Sequence, residues 1–197
     1  MSGKLGFPVN GIIGYDILKD FVVTVNYISK KITFDSPEIY RYKECRKCET
    51  FDLFFYKNKP YIDGEIVVQT PTLKTIPVQL LIDSGGTDSL WLFENEDLGI
   101  SIPENSFEDY IGEGISGSIF GMRSRLKSFS LKSFKIKNIN VAYLDSISTN
   151  YAKKLKTRNG SLGGNILKRF KVIFDYPNSK ITLKKNRNFS ERVKNGS

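Results

Sequence analysis

The sequence predicts an all-β protein with one or two short helices, built around a small closed sheet. Short apolar runs and alternating apolar/polar stretches of strand length fill most of the 197 residues. Turn chemistry punctuates them at Asn58-Lys59-Pro60, Lys132-Ser133 and Pro177-Asn178-Ser179. Two segments 149 positions apart also read alike: "NGIIGYDILKDFVVTVNYISKKITF" from Asn10 and "NGSLGGNILKRFKVIFDYPNSKITL" from Asn159. Aligned without gaps they share Asn, Gly, Gly, Ile-Leu-Lys, Phe, Val, Tyr and Lys-Ile-Thr. Repetition at so long a spacing marks two similar lobes, not a solenoid.

The elements follow in order. Each repeat reads as a short apolar strand ending at Gly, one turn of helix (Tyr15 to Asp20; Gly164 to Arg169), a strand, a turn and a closing strand. Residues 1–34 are therefore expected to be the C-terminal end of a first lobe. Residues 35–50, "DSPEIYRYKECRKCET", are polar and charged and read as a linker. A complete second lobe is expected over 51–185. Within it, "FDLFFYKN" and "YIDGEIVVQT" flank a turn, "IPVQLLID" reads as a fully buried strand, and "SRLKSFSLKSFKIKNINVAYL" as a hairpin or meander. Short helical stretches are expected near Glu94 to Leu98 and Asn150 to Leu155. Residues 186–197 are polar and basic and read as an exit linker or frayed tail.

Composition narrows the chemistry. An apolar fraction of 40% and an aromatic fraction of 13% suit a folded domain. No apolar run approaches the roughly 20 residues that span a bilayer, and "MSGKLGFPVNGIIGYD" lacks the apolar core of a signal peptide. Much of the net charge of +9 is spread as single Lys and Arg residues on alternating strands, plus the tail "LKKNRNFSERVKNG". Without a zinc-finger pattern, an RNP motif or a recognition helix, these residues read as a solvated face, not a nucleic-acid surface. The chain has no histidine, which removes Ser-His-Asp, Cys-His and imidazole acid-base schemes and His-ligated zinc. The one S-x-x-K, Ser124 to Lys127, falls in an alternating strand pattern. Cys45 and Cys48 stand in the charged linker with no second pair, and read as free or locally bridged. If the protein is an enzyme, carboxylates are its acid-base groups.

One carboxylate stands out. In "VQLLIDSGGTDSLWLF", an apolar strand ends at Asp83, and Ser84-Gly85-Gly86 turns the chain into a second apolar run. Glycine permits a sharp corner and presents backbone N–H groups to a carboxylate. A carboxylate so held is costly unless its charge is hydrogen-bonded or shared, and two such corners face to face share one proton. Otherwise Asp83 merely caps a strand-to-turn corner.

These residues resemble the aspartic peptidases of the retropepsin-like fold, particularly a two-lobed bacterial aspartyl protease family. Asp83-Ser84-Gly85-Gly86 resembles the catalytic loop. "IGEGISGSIFGM", Ile111 to Met122, is similar to the flap hairpin. Ser161-Leu162-Gly163, with "GGNILKRF" after it, resembles the apolar-apolar-Gly element and short helix that brace the loop. The resemblance implies an acid-protease barrel over Phe51 to about Lys185, no metal and no organic cofactor. It implies that Asp83 is half of a catalytic dyad, that Ser84 braces the loop through its hydroxyl, and that Gly85 permits the turn. Gly114, Ile115, Ser116 and Gly117 would cover an extended peptide by strand addition, with Gly86, Leu162 and Gly163 as support.

The chain holds only one D-[ST]-G. The second aspartate is expected from a first lobe upstream or from a homodimer partner. A non-catalytic peptide-binding or assembly lobe is the alternative function. The family's members suggest an exported, periplasmic or extracellular, bacterial protein.

Overall fold

The computed structural model describes residues 11–70, 72–114, 117–144, 149 and 157–191. These form thirteen strands and two four-residue helices, as the alternating sequence predicts. A five-stranded antiparallel sheet joins β1 (Val22–Asn26), β2 (Lys31–Asp35), β3 (Cys48–Asp52), β12 (Phe170–Asp175) and β13 (Lys180–Lys185), in the order β2-β1-β12-β13-β3. A second sheet holds β4 (Phe54–Tyr56), β5 (Lys59–Thr70), β6 (Thr72–Asp83), β7 (Leu90–Leu92), β8 (Phe107–Gly114), β9 (Gly117–Leu131), β10 (Phe134–Leu144) and β11 (Arg158–Gly163). Its order is β4-β5-β6-β11-β7-β10-β9-β8, and a further β5–β9 pairing at Ile66 and Phe129 closes six strands into a barrel. Closure gives each of those six strands a neighbour on both sides.

The core explains the alternation. Ile66, Leu80, Phe129, Ile139 and Val141 fill the barrel, continuous with Val172, Ile181 and Leu183 from the five-stranded sheet. Polar alternates such as Thr24, Thr33, Thr182 and Thr50 line that sheet's other face in one cross-strand row, with Ile173 between Thr24 and Thr182. The predicted linker contributes β3, which begins at Cys48, and Cys45 and Cys48 form a disulfide.

The repeat is real in three dimensions. Helix α1 (Tyr15–Leu18) leads into β1 and β2 as helix α2 (Gly164–Leu167) leads into β12 and β13. Each turn between the two strands places a non-glycine residue in the left-handed region, Lys30 (φ 53°) and its counterpart Ser179 (φ 52°). Strands β1 and β12 pair antiparallel, with Val22 opposite Asp175, Thr24 opposite Ile173 and Asn26 opposite Lys171. Shifting each residue by the repeat offset exchanges the two strands within that register. A pseudo-two-fold axis therefore passes through the Thr24–Ile173 pair.

Two expectations need correction. Glu94 to Leu98 is a turn, not a helix: Asn95 and Ile100 exchange backbone hydrogen bonds, and the Asn95 side chain accepts the Leu98 N–H. Residues 186–191 are docked, not frayed. Phe189 packs edge-on against Phe134 and Phe170, and the buried Arg169 guanidinium donates to the carbonyls of Phe189 and Glu191. The helix expected near Asn150 to Leu155 lies outside the described residues. Among the described residues, no helix is long and apolar enough to cross a membrane.

Candidate active site

Strand β6 carries Val78, Leu80 and Ile82 into the barrel and releases Asp83 at its end. There the Gly85 and Gly86 N–H groups both donate to one oxygen, Asp83 Oδ1, at 3.1 Å each. The Gly86 N–H lies 3.2 Å from the Asp83 carbonyl as well, which closes the turn. Asp83 is half-buried, whereas Ser84 and Gly85 are exposed. The two backbone donors fix the direction of the carboxyl group.

The corner is clamped from below. Strand β11 lies between β6 and β7, parallel to the first and antiparallel to the second, so the Asp83–Leu90 loop passes over its end. Gly163 stands beside Asp83 in the ladder. Its N–H donates to Ser89 O (3.0 Å), that of Gly164 to Gly86 O (2.7 Å), and that of Asn165 to Asp88 O (3.1 Å). A Cβ on Gly163 would sit 2.3 Å from the Asp88 carbonyl oxygen, so glycine is required by contact alone. Leu162 is fully buried between Ile82 and Leu90. Ser161, the polar residue in an apolar-apolar-Gly position, is buried with its hydroxyl accepting from Arg158 Nη2 at 2.8 Å.

The structure thus brings together Asp83, Gly85, Gly86, Leu162 and Gly163. Ser84 does not join them: it is exposed, and among the described residues its hydroxyl has no hydrogen-bond partner. Gly114 and Gly117 pair with each other at the end of the β8/β9 hairpin. Ile115 and Ser116 lie outside the described residues.

Sequence reading missed a polar network around this corner. Arg123 on β9 donates through Nη1 to Asp88 Oδ1 (2.8 Å) and through Nε to Asp109 Oδ2 on β8 (2.5 Å). The indole N–H of Trp91, the chain's single tryptophan, donates to Asp88 Oδ2 at 2.7 Å. Burial works against the Arg123 charge, but the hydrogen bonds and charges of Asp88 and Asp109 outweigh it and raise its pKa. Arg158 stacks over the Phe93 ring; burial lowers its pKa, and Tyr61 and Asp83 partly restore it. Apart from the local Trp91–Asp88 bond, these pairs are set by strand register, so no local spacing could have disclosed them. Among the described residues, no group of three or more Cys, Asp and Glu side chains is placed to hold a metal.

No protein-family model matches the chain, and no curated protein matches it. Among solved structures it is similar to the crystal structure of a retropepsin-like aspartic protease from Rickettsia conorii. The two share 16% identity over 75% of this chain and 97% of that one, with a TM-score of 0.45.

Among the described residues, the first repeat is exposed where the second is buried. The first repeat carries the counterpart of the bracing element, yet Ile12, Ile13 and Ile17 are 70%, 55% and 46% exposed. Their counterparts Ser161, Leu162 and Ile166 are 4%, 0% and 0% exposed. On β2, Ile32 and Phe34 are 54% and 40% exposed, whereas Ile181 and Leu183 are fully buried under the barrel. A Cβ on Gly11 or Gly14 would meet nothing within 4 Å, in contrast to Gly160 and Gly163. A cleft of about 790 Å³ does exist elsewhere, between the threonine face and residues 39–45. It is remote from the corner in sheet position, on the face turned away from the barrel.

Proposed function

We propose that this chain is one catalytic half of an aspartic endopeptidase, with Asp83 as one member of a carboxylate dyad. One observation carries the reading: a carboxylate held rigidly by two backbone N–H groups lies in one half of a pseudo-symmetric pair, and the other half bares the same bracing element. A corner docked on Gly11 to Tyr15, as the Asp83 corner docks on Gly160 to Gly164, would bring a second carboxylate opposite the first. Two carboxyls that close cannot both ionise, so one proton is shared. The pair then takes a proton from water as it attacks a peptide carbonyl and returns one to the leaving amine.

The apolar face on the first repeat also bears on the partner. A second copy of this chain has its own barrel already seated on β12 and β13. Covering Ile32 and Phe34 calls for a barrel with a vacant base, which favours a separate first lobe over simple homodimerisation. Gly114 and Gly117 would hold an extended peptide through backbone hydrogen bonds.

The test is peptide cleavage at acid pH by the assembled protein, with and without pepstatin, comparing wild type with Asp83→Asn. Pepstatin-sensitive cleavage that falls by about 10³-fold or more in the variant is expected. Peptide binding without cleavage in wild type would support the alternative, a non-catalytic peptide-binding or assembly lobe.

A further inference from the structure

We propose that Arg123 is the positioning residue that locks the β8/β9 hairpin to the Asp83 corner, so that peptide held by the hairpin and the carboxylate keep one spacing. The hairpin reaches the corner by two routes. Through the ladders the path is long, from β9 across β10 to β7. The side-chain route is short. Arg123 joins β9 to β8 through Asp109, then crosses directly to Asp88, five positions beyond Asp83. Asp88 is itself fixed on both sides, by the Trp91 indole N–H at its second carboxylate oxygen and by the Asn165 N–H at its carbonyl. Movement of the hairpin root is thereby passed to the loop that follows the aspartate and to the start of α2.

Three features make this bridge more than a surface pair. Arg123 and Asp88 are each less than a fifth exposed at their side chains. One guanidinium serves two carboxylates from two different elements, the geometry in which charge-assisted bonds add orientation to attraction. The Trp91 ring that bonds Asp88 is in turn packed against a buried cluster of Phe93, Ile111, Ala142 and Leu144. Strands β8 and β9 are thereby pinned at their root to the corner.

The proposal rests on the protease reading for its catalytic consequence, but the mechanical coupling is measurable without activity. Backbone hydrogen exchange is compared in wild type, Arg123→Gln and Arg123→Lys. In Arg123→Gln, exchange is expected to quicken about 10-fold in 107–114, 117–123 and 84–92 together, with β12 and β13 unchanged. Lysine keeps the charge but reaches one carboxylate at a time, so Arg123→Lys is expected to fall between the two, and it replaces the glutamine variant if that one does not fold. Quickening confined to the hairpin, no quickening, or equal quickening in β12 and β13 would each overturn the lock.

In the assembled protein, Arg123→Gln is expected to lower kcat/KM for a peptide about 10-fold, mainly by raising KM. An unchanged kcat/KM would overturn the positioning role. Absence of cleavage by wild type would defeat the protease reading instead, and would leave the exchange result standing.

Discussion

Gly163 shows how little room the candidate site leaves. Any side chain there collides with the Asp88 backbone, which is pinned by α2 and cannot retreat. Gly163→Ala should destabilise the chain by about 3 kcal/mol, since overpacking against fixed backbone costs that much. Its repeat counterpart Gly14 sits in extended backbone with open space around it. Gly14→Ala should change stability by less than about 0.5 kcal/mol. Chemical denaturation of both variants measures the contrast, and equal effects would contradict the described asymmetry. Asp83, Gly85, Gly86, Leu162 and Gly163 were legible in the sequence because a strand, a carboxylate and glycines at fixed spacing dictate a corner locally. Asp109, Arg123 and Arg158 were not, nor was the bond from Arg123 to Asp88, because those partners lie across ladders whose register no single segment encodes. The Ser84 brace was read from resemblance, and in this chain that side chain faces solvent.

At the level of elements, the repeated strand–turn–strand unit was the most legible part, since both copies state the same pattern independently. The segment Glu94 to Leu98 misled because its acidic residues suit a helix. The Asn95 side chain instead accepts a local N–H, and Gly99 (φ 75°) lets the turn close. The segment after β13 misled in the other direction. Its polar composition hid Phe189, and the residue that holds it, Arg169, lies twenty positions upstream. Arg169→Ala should cost about 2–3 kcal/mol, because it leaves the Phe189 and Glu191 carbonyls without a buried donor. Limited proteolysis should then cut near residues 186–191 well before the barrel. A variant as stable and as resistant as wild type would show that the docking rests on Phe189 alone.

Over the whole molecule, the two repeats are equal in sequence pattern and unequal in burial. Ile166→Ser, within the closed lobe, should cost more than about 3 kcal/mol, combining a lost apolar side chain with a buried hydroxyl. Ile17→Ser, at the matching position, should leave this chain's stability within about 0.5 kcal/mol of wild type. The same Ile17 change should weaken association with a first lobe, measured as a raised Kd. If Ile17→Ser were as damaging as Ile166→Ser in the chain alone, the face would already be covered, and the inferred partner would lose its support. The fold class and the repeated unit were legible because alternation and repetition are global features of the sequence. Which half lies bare was not, because exposure depends on what the chain packs against.

The most direct measurement is the separation between the Asp83 carboxyl and the nearest other carboxyl in a structure of the assembled protein. An aspartate from a second glycine corner is expected at about 3 Å, across the axis that passes through Thr24 and Ile173. An assembled structure in which Asp83 faces solvent, or a partner surface with no carboxyl within reach, would contradict it.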